Sequence, residues 1–263
     1  MREKTNPDFV EAIARGFDVV RAFDGVHTLS LSEVAQRAGL ARPTARRILI
    51  TLAELGYVAS EGGRFELTPR VLELGVAYFT GGDFWDAAMP RLRQLVDRTH
   101  ESSSIAQLDG SDVVYVARVA VPKLVTLSVA VGTRFPAAQT SLGKVLLASM
   151  SPEELDALLE QPTRSGVVAS WQPSRSELDD VLAKVRAQGW AISDQQLAPA
   201  IRSVAAPIRR ADGSVFAAMN VNAHAAETSL EKLRDEHLPH LLQAAADLSV
   251  DYALRARVPA ATA

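Results

Sequence analysis

The stretch LSLSEVAQRAGLARPTARRILITLAELGYV, Leu29 to Val58, decides the N-terminal fold. Two short apolar-periodic segments flank Ala38-Gly39-Leu40, and the second carries Arg42, Arg46 and Arg47. This layout predicts a helix-turn-helix whose second helix is built to meet phosphates and base edges. Ser30 or Ser32 can cap the first helix, and Glu33 stands three residues after Ser30, the spacing of a reciprocal cap. Val34, Ala35 and Ala38 give that helix its apolar face. Gly39 can turn left-handed at the helix end, and Pro43 fits the first turn of the next helix. Ala45, Ile48, Leu49, Leu52 and Leu55 mark the expected buried stripe. Thr44, Arg46 and Arg47 are left facing outward near the N-terminal end, where a recognition helix reaches bases. Arg42 and Pro43 complete the candidate DNA-binding set on this helix.

From Val34 to Ala53 the basic residues are Arg37, Arg42, Arg46 and Arg47, with no acidic residue between them. Residues 1–68 as a whole are neutral, nine Lys or Arg against nine Asp or Glu. The charge is therefore one focused face, and useful affinity for double-stranded operator DNA calls for more than one subunit. Tyr57-Val58-Ala59 and Arg64-Phe65-Glu66-Leu67, around Ser60-Glu61-Gly62-Gly63, predict a hairpin, the wing of a winged helix-turn-helix. Arg64 sits where a wing approaches the DNA backbone or minor groove. Phe9 to Phe23 predicts a preceding amphipathic helix with Phe9, Ile13, Phe17, Val20 and Phe23 on its core face.

At 263 residues, 48% of them apolar, the chain is long enough for two domains with sizeable cores. Its formal net charge of -3 argues against a general nucleic-acid coat or an anionic-membrane binder. The sequence has no cysteine, which excludes disulfides, thiolate catalysis and Cys-ligated zinc. No signal-peptide core or bilayer-length apolar run is present, so a cytoplasmic protein is expected.

After the wing, Thr68-Pro69 opens a linker helix with Val71, Leu72, Leu74, Gly75 and Tyr78 along it, interrupted at Gly81-Gly82. Its apolar stripe needs a partner, either its own domain or a second subunit. A further helix, Trp85 to His100, begins the second domain. Ser104–Leu108 and Val113–Val119 form a hairpin, and Leu124–Val131 reads as another strand. A helix over Ser141–Met150, two capped helices opened by Ser151 and Ser174, strands over 190–193, 204–209 and 215–221, and a terminal helix interrupted at Pro239 follow. The fold class is α+β, with an antiparallel sheet and helices on one side. The expected divisions are 1–68 for the DNA-binding domain, 69–83 for the linker helix, 84–257 for the effector-binding domain, and 258–263 for a disordered tail.

LSEVAQRAGLARPTARRILITLAELGYV, FELTPRVLELG, TSLGKVLLA, Gly189-Trp190, Asp194 and IRSVAAPI together resemble the IclR family of bacterial transcription regulators. The similarity runs from about Phe9 to about Leu254. ARPTARR, LTPRVLELG, VGTRFPAAQTSLGKVLLA and IRSVAAPI are most similar to the PcaR, PcaU and PobR type, which controls aromatic-acid catabolism. The resemblance implies a winged N-terminal domain, a linker helix, a GAF-like effector domain, and a homodimer or homotetramer. The chain departs from the family at Ala41, usually a serine cap, at Gln196 and Ala200, often glutamate and glycine, and at Ser203, often cysteine.

Thr140-Ser141-Leu142-Gly143 opens a helix whose N-terminus can receive the carboxylate of a small organic acid. Ser141 can add a hydroxyl, and Gly143 permits close approach. The resemblance adds Asp194, Ser203, Asn220 and Asn222 to this effector site. Phe135, in the stretch before the helix, can supply an apolar wall. Asn220 and Asn222 are two apart and so share one strand face. Arg202, which alternates with Ser203, should face away. An enzyme alternative exists: Ser141-x-x-Lys144 with Ser193-Asp194-Gln195 approximates a penicillin-recognising serine hydrolase, but no Lys-Thr-Gly follows and residues 1–68 would have no role. A ligand-independent DNA binder leaves the second domain unexplained. No metal or cofactor is implied: His237 and His240 are separated by Pro239, expected to break their helix, and no carboxylate cluster completes a ligand set.

Overall fold

The computed structural model describes residues 7–80, 84–122 and 129–255. The chain divides into two compact units, Met1–Gly81 and Gly82–Ala263.

In the first unit, α1 (Glu11–Arg21), α2 (Leu31–Arg37) and α3 (Arg42–Glu54) pack with a small sheet. Ser30 caps α2 reciprocally with Glu33. Pro43 sits in the first turn of α3, whose N-cap, Ala41, supplies no side-chain bond. The wing has three strands rather than two. β1 (Thr28–Ser30) pairs with β3 (Arg64–Leu67), which pairs with β2 (Val58–Glu61). β1 was illegible because its three residues precede a strong helix cap. The core gathers Val19, Phe23, Leu29, Val34, Leu49 and Val58.

Two expected stripes differ. Phe9, Ile13 and Phe17 are exposed; of the expected stripe Phe23 is buried and Val20 half-buried, and Val19 and Ala22 join them in the core. Leu55 is also exposed, because it is the C-cap of α3 and lies beyond the last turn that packs inward. A short 3-10 turn (Pro69–Val71) leads into α4 (Leu72–Thr80), where Leu72 and Leu74 are exposed.

The second unit is built on a six-stranded antiparallel sheet in the order β6-β5-β4-β9-β8-β7. The strands are β4 (Ser102–Asp109), β5 (Asp112–Val119), β6 (Arg134–Pro136), β7 (Ala191–Asp194), β8 (Ile201–Arg209) and β9 (Val215–His224). Helices cover both faces, not one. On one face α5 (Phe84–Thr99) and α10 (Leu238–Arg255) pack over Ile105, Met219 and Val221. On the other, α6 (Ser141–Leu147), α7 (Pro152–Leu159) and α8 (Arg175–Gln188) pack with Tyr115, Phe135 and Ala218.

β6 is a short strand not among those expected from the sequence. The terminal helix is not broken at Pro239. A short α9 (Leu230–Lys232) is followed by a π-helical turn (Leu233–His237), and α10 then runs through the proline. Pro239 lies in the first turn of α10, where a missing N–H is tolerated. The expected strand from Leu124 falls largely outside the described residues, as does the tail 258–263. Among the described residues, no helix is long and apolar enough to cross a membrane.

Candidate DNA-binding face and effector site

In α3, Ala45 and Leu49 face the core, which turns Arg42, Pro43, Arg46 and Arg47 to solvent and leaves Thr44 half-buried. Thr44 and Arg47 also line a groove between α1 and α3, together with Arg15. These five candidates therefore share one exposed helix start. Arg64 does not join them as an unengaged wing residue. Its Nε donates to Thr28 Oγ1 at 3.1 Å and its Nη2 to the Thr28 carbonyl at 2.9 Å, with Glu33 Oε2 at 4.0 Å from Nη1. It staples β3 to β1, and the wing tip is Glu61-Gly62-Gly63. Arg37 is likewise structural: Nη1 donates to the Ala22 and Asp24 carbonyls at the end of α1.

In the second unit, strand register assembles a polar patch on an otherwise apolar sheet face. Ser193 faces Ser203, Ser203 faces Asn222, and Asn222 faces Ser102 across four neighbouring strands. Directly facing residues point to the same side of a sheet. Ser141, at the start of α6, sits over this patch, with its hydroxyl 2.8 Å from that of Ser203. Ser193 donates to the Gln139 carbonyl at 2.7 Å, and Asn220 accepts from the Ser104 N–H at 3.0 Å. Tyr115, Phe135, Leu197 and Ile201 supply apolar walls. Between them lies a cavity of about 20 Å³, room for about one water molecule. Burial pushes the Tyr115 hydroxyl up to about 12, so it stays a neutral donor.

Of the predicted effector residues, Thr140, Ser141, Ser203, Asn220 and Asn222 come together here. Leu142 does not line the cavity and is fully buried in the core. Gly143 permits a close approach, but to the chain itself. A Cβ there would lie 2.0 Å from the Ala137 carbonyl oxygen. Its N–H is taken by Thr140 Oγ1 at 2.9 Å. Asp194 is on the opposite side of its strand from Ser193. It faces Arg202 across the ladder and accepts from Arg202 Nε at 2.8 Å. The alternation that turned Arg202 away from the pocket turns Asp194 away as well. Ser193 is the residue that alternation should have supplied.

Lys144 is 1% exposed. Its Nζ donates to the Ile192 carbonyl at 3.0 Å and to Gln196 Oε1, and lies 4.9 Å from the centre of the Trp171 ring. Burial lowers it from its ordinary value to about 8. It ties α6 to β7 and the loop after it, and its bonds go there rather than to Ser141, as a serine hydrolase would need. That loop holds Gln195 and Ala200 at φ 55° and 64°, the left-handed region. Ala200 thus stands where a glycine would be unstrained.

Comparison with known proteins agrees with this architecture. The IclR helix-turn-helix domain model matches residues 12–62, and that of the bacterial transcriptional regulator IclR C-terminal domain matches residues 76–250. The Pca regulon regulatory protein of Pseudomonas putida is 37% identical over 92% of this chain and 84% of its own. The p-hydroxybenzoate hydroxylase transcriptional activator of Acinetobacter baylyi is 30% identical over 92% of this chain and 91% of its own. A Rhodococcus sp. RHA1 protein of known crystal structure superposes with a TM-score of 0.81 at 45% identity, over 94% of this chain and 99% of its own. These families and relatives are regulators, not enzymes, which removes the serine-hydrolase alternative. The chain belongs to the IclR family of transcriptional regulators.

Proposed function

We propose that this regulator controls genes of aromatic-acid catabolism by binding operator DNA in a manner set by a small organic acid. The observation that carries the proposal is the enclosed patch of Ser141, Ser193, Ser203, Asn220 and Asn222 on an apolar sheet face. Polar groups clustered in a core need partners, and a hydroxylated acid supplies them. The Pca and p-hydroxybenzoate regulators among the relatives favour an aromatic acid or a product of its breakdown. Arg42, Pro43, Thr44, Arg46 and Arg47 are the proposed DNA contacts. The exposed Phe9, Ile13, Phe17, Leu72 and Leu74 favour a homodimer or homotetramer, since large apolar side chains grouped on a surface mark interfaces.

The cavity is far below the 300–1,000 Å³ typical of ligand sites. Ligand entry must therefore displace Leu197 and the loop that carries it, and that movement gives the effector its lever. Thermal-shift measurements with protocatechuate, 4-hydroxybenzoate, catechol, muconate and β-ketoadipate test the proposal. At least one acid should raise Tm in a concentration-dependent way. No response to any of the five would contradict it.

A further inference from the structure

The polar patch has a second row. Arg118 on β5 faces Ser104 on β4, and Ser104 faces Asn220 on β9. Asn220 lines the effector cavity, so this register puts Arg118 on the cavity face of the sheet. Arg118 Nη1 donates to Ser104 Oγ at 2.9 Å, while its Nε is buried with no hydrogen-bond partner. Among the described residues no carboxylate pairs with it. Arg91, Arg134 and Arg202 each meet an aspartate. A guanidinium with a buried, unspent N–H is ready for a planar anion that takes two parallel hydrogen bonds.

The other charged side chains near the cavity are engaged. Lys144 is held by Ile192, Gln196 and Trp171. Arg202 lies on the opposite face with Asp194. α6 is only seven residues long, and its first turn gives the Gly143 N–H to Thr140. β5 and β8 are three strand spacings apart, roughly 14 Å at about 4.8 Å per strand. The arginine side chain spans part of that distance and a molecule one aromatic ring long spans the rest.

We propose that Arg118 is the carboxylate anchor of the effector site, holding an organic acid whose far hydroxyl meets the Ser141–Ser203 pair. The proposal rests on the effector-binding function proposed above and names the orientation of the ligand. The acid enters with its charge toward β5, not toward α6. The hydroxyl pair accepts and donates to the neutral end.

Isothermal titration of the full-length protein with 4-hydroxybenzoate and with its neutral amide, 4-hydroxybenzamide, tests this. The wild type should prefer the acid. In Arg118→Gln the affinity for the acid should fall roughly 10- to 100-fold, the usual size for a charged hydrogen-bonded pair. Affinity for the amide should stay within about threefold, so the acid-over-amide preference collapses. Arg118→Lys should restore part of it. Because the readout is a ratio within one folded protein, general destabilisation does not mimic it. An unchanged preference in Arg118→Gln overturns the anchor and leaves the effector proposal standing. Absence of binding by the wild type to either probe overturns the anchor, and the thermal-shift panel then decides the effector proposal separately.

Discussion

The two proposed recognition surfaces of this chain are built in opposite ways. The proposed DNA face takes five residues from one turn and a half of α3, at positions 42, 43, 44, 46 and 47, mostly in solvent. The proposed effector site takes one or two residues each from α6, β7, β8 and β9, buried between sheet and helix and up to 81 positions apart, from Ser141 to Asn222. A charged surface can be altered without disturbing the core beneath it. A buried polar site is part of the core, so its chemistry and its packing change together. The contrast predicts that substitutions on α3 separate function from stability, whereas substitutions around the cavity do not.

The largest expected effect is at Gly143. Alanine would drive its Cβ into the Ala137 backbone, which cannot rotate aside. Gly143→Ala should cost about 3 kcal/mol, read as a lowered denaturant midpoint. A normal midpoint would mean that α6 is not wedged as described.

Lys144 follows. Its folded value of about 8 lies below its ordinary 10.5, so between these pH values the unfolded chain holds a proton that the folded chain has released. Stability therefore rises with pH across that window, and the cost of burying the charge is fully present below about pH 8. The full window is worth about 3 kcal/mol. Lys144→Met should flatten the rise. The comparison is best made between pH 8 and 10, before Tyr115, held up at about 12, begins to favour unfolding as its unfolded-state hydroxyl ionises. Parallel pH profiles for wild type and variant would refute it.

On the DNA face, Arg46→Ala and Arg47→Ala should each weaken operator binding by about 1–3 kcal/mol where the residue meets a base. Tm should stay within the scatter of a surface substitution. Arg64→Ala sharpens the contrast, since Arg64 is spent on Thr28. It should lower the stability of the first unit by about 1 kcal/mol and move operator affinity little. A loss of affinity equal to that of Arg47→Ala would return Arg64 to the DNA interface. Smallest is Ala200→Gly. Relief of a left-handed alanine gains about 1–2 kcal/mol, and the flexibility of glycine takes back about 0.5–1. The variant should be more stable by about 0.5 kcal/mol in thermal unfolding.

The same contrast explains what the sequence made legible. The caps at Ser30, Ser151 and Ser174, the proline in α3 and the helical period of residues 29–58 are local signals, and each appears in place. Strand pairing is not local. Asn220 and Asn222 could be put on one face from their spacing. That Arg118 shares this face with Tyr115, three residues away on the same strand, depends on a bulge between Ile105 and Ala106, which no local pattern announces. Asp194 falls outside the cavity because the strand alternation that places Ser193 inward turns its neighbour outward, which a motif position alone does not reveal. Phe9, Ile13 and Phe17 looked like core because periodicity marks an apolar stripe without saying whether the same chain covers it.

The central claim is that an acid bound in the second unit changes the affinity of α3 for DNA. The direct test is fluorescence anisotropy of an operator fragment, titrated with the full-length protein with and without each acid that raises Tm. The account predicts that such an acid shifts the operator Kd by about 5- to 150-fold, the usual range of coupling between two sites, and that Ser141→Ala combined with Asn220→Ala abolishes the shift. Superimposable binding curves with and without a tightly bound acid would contradict it.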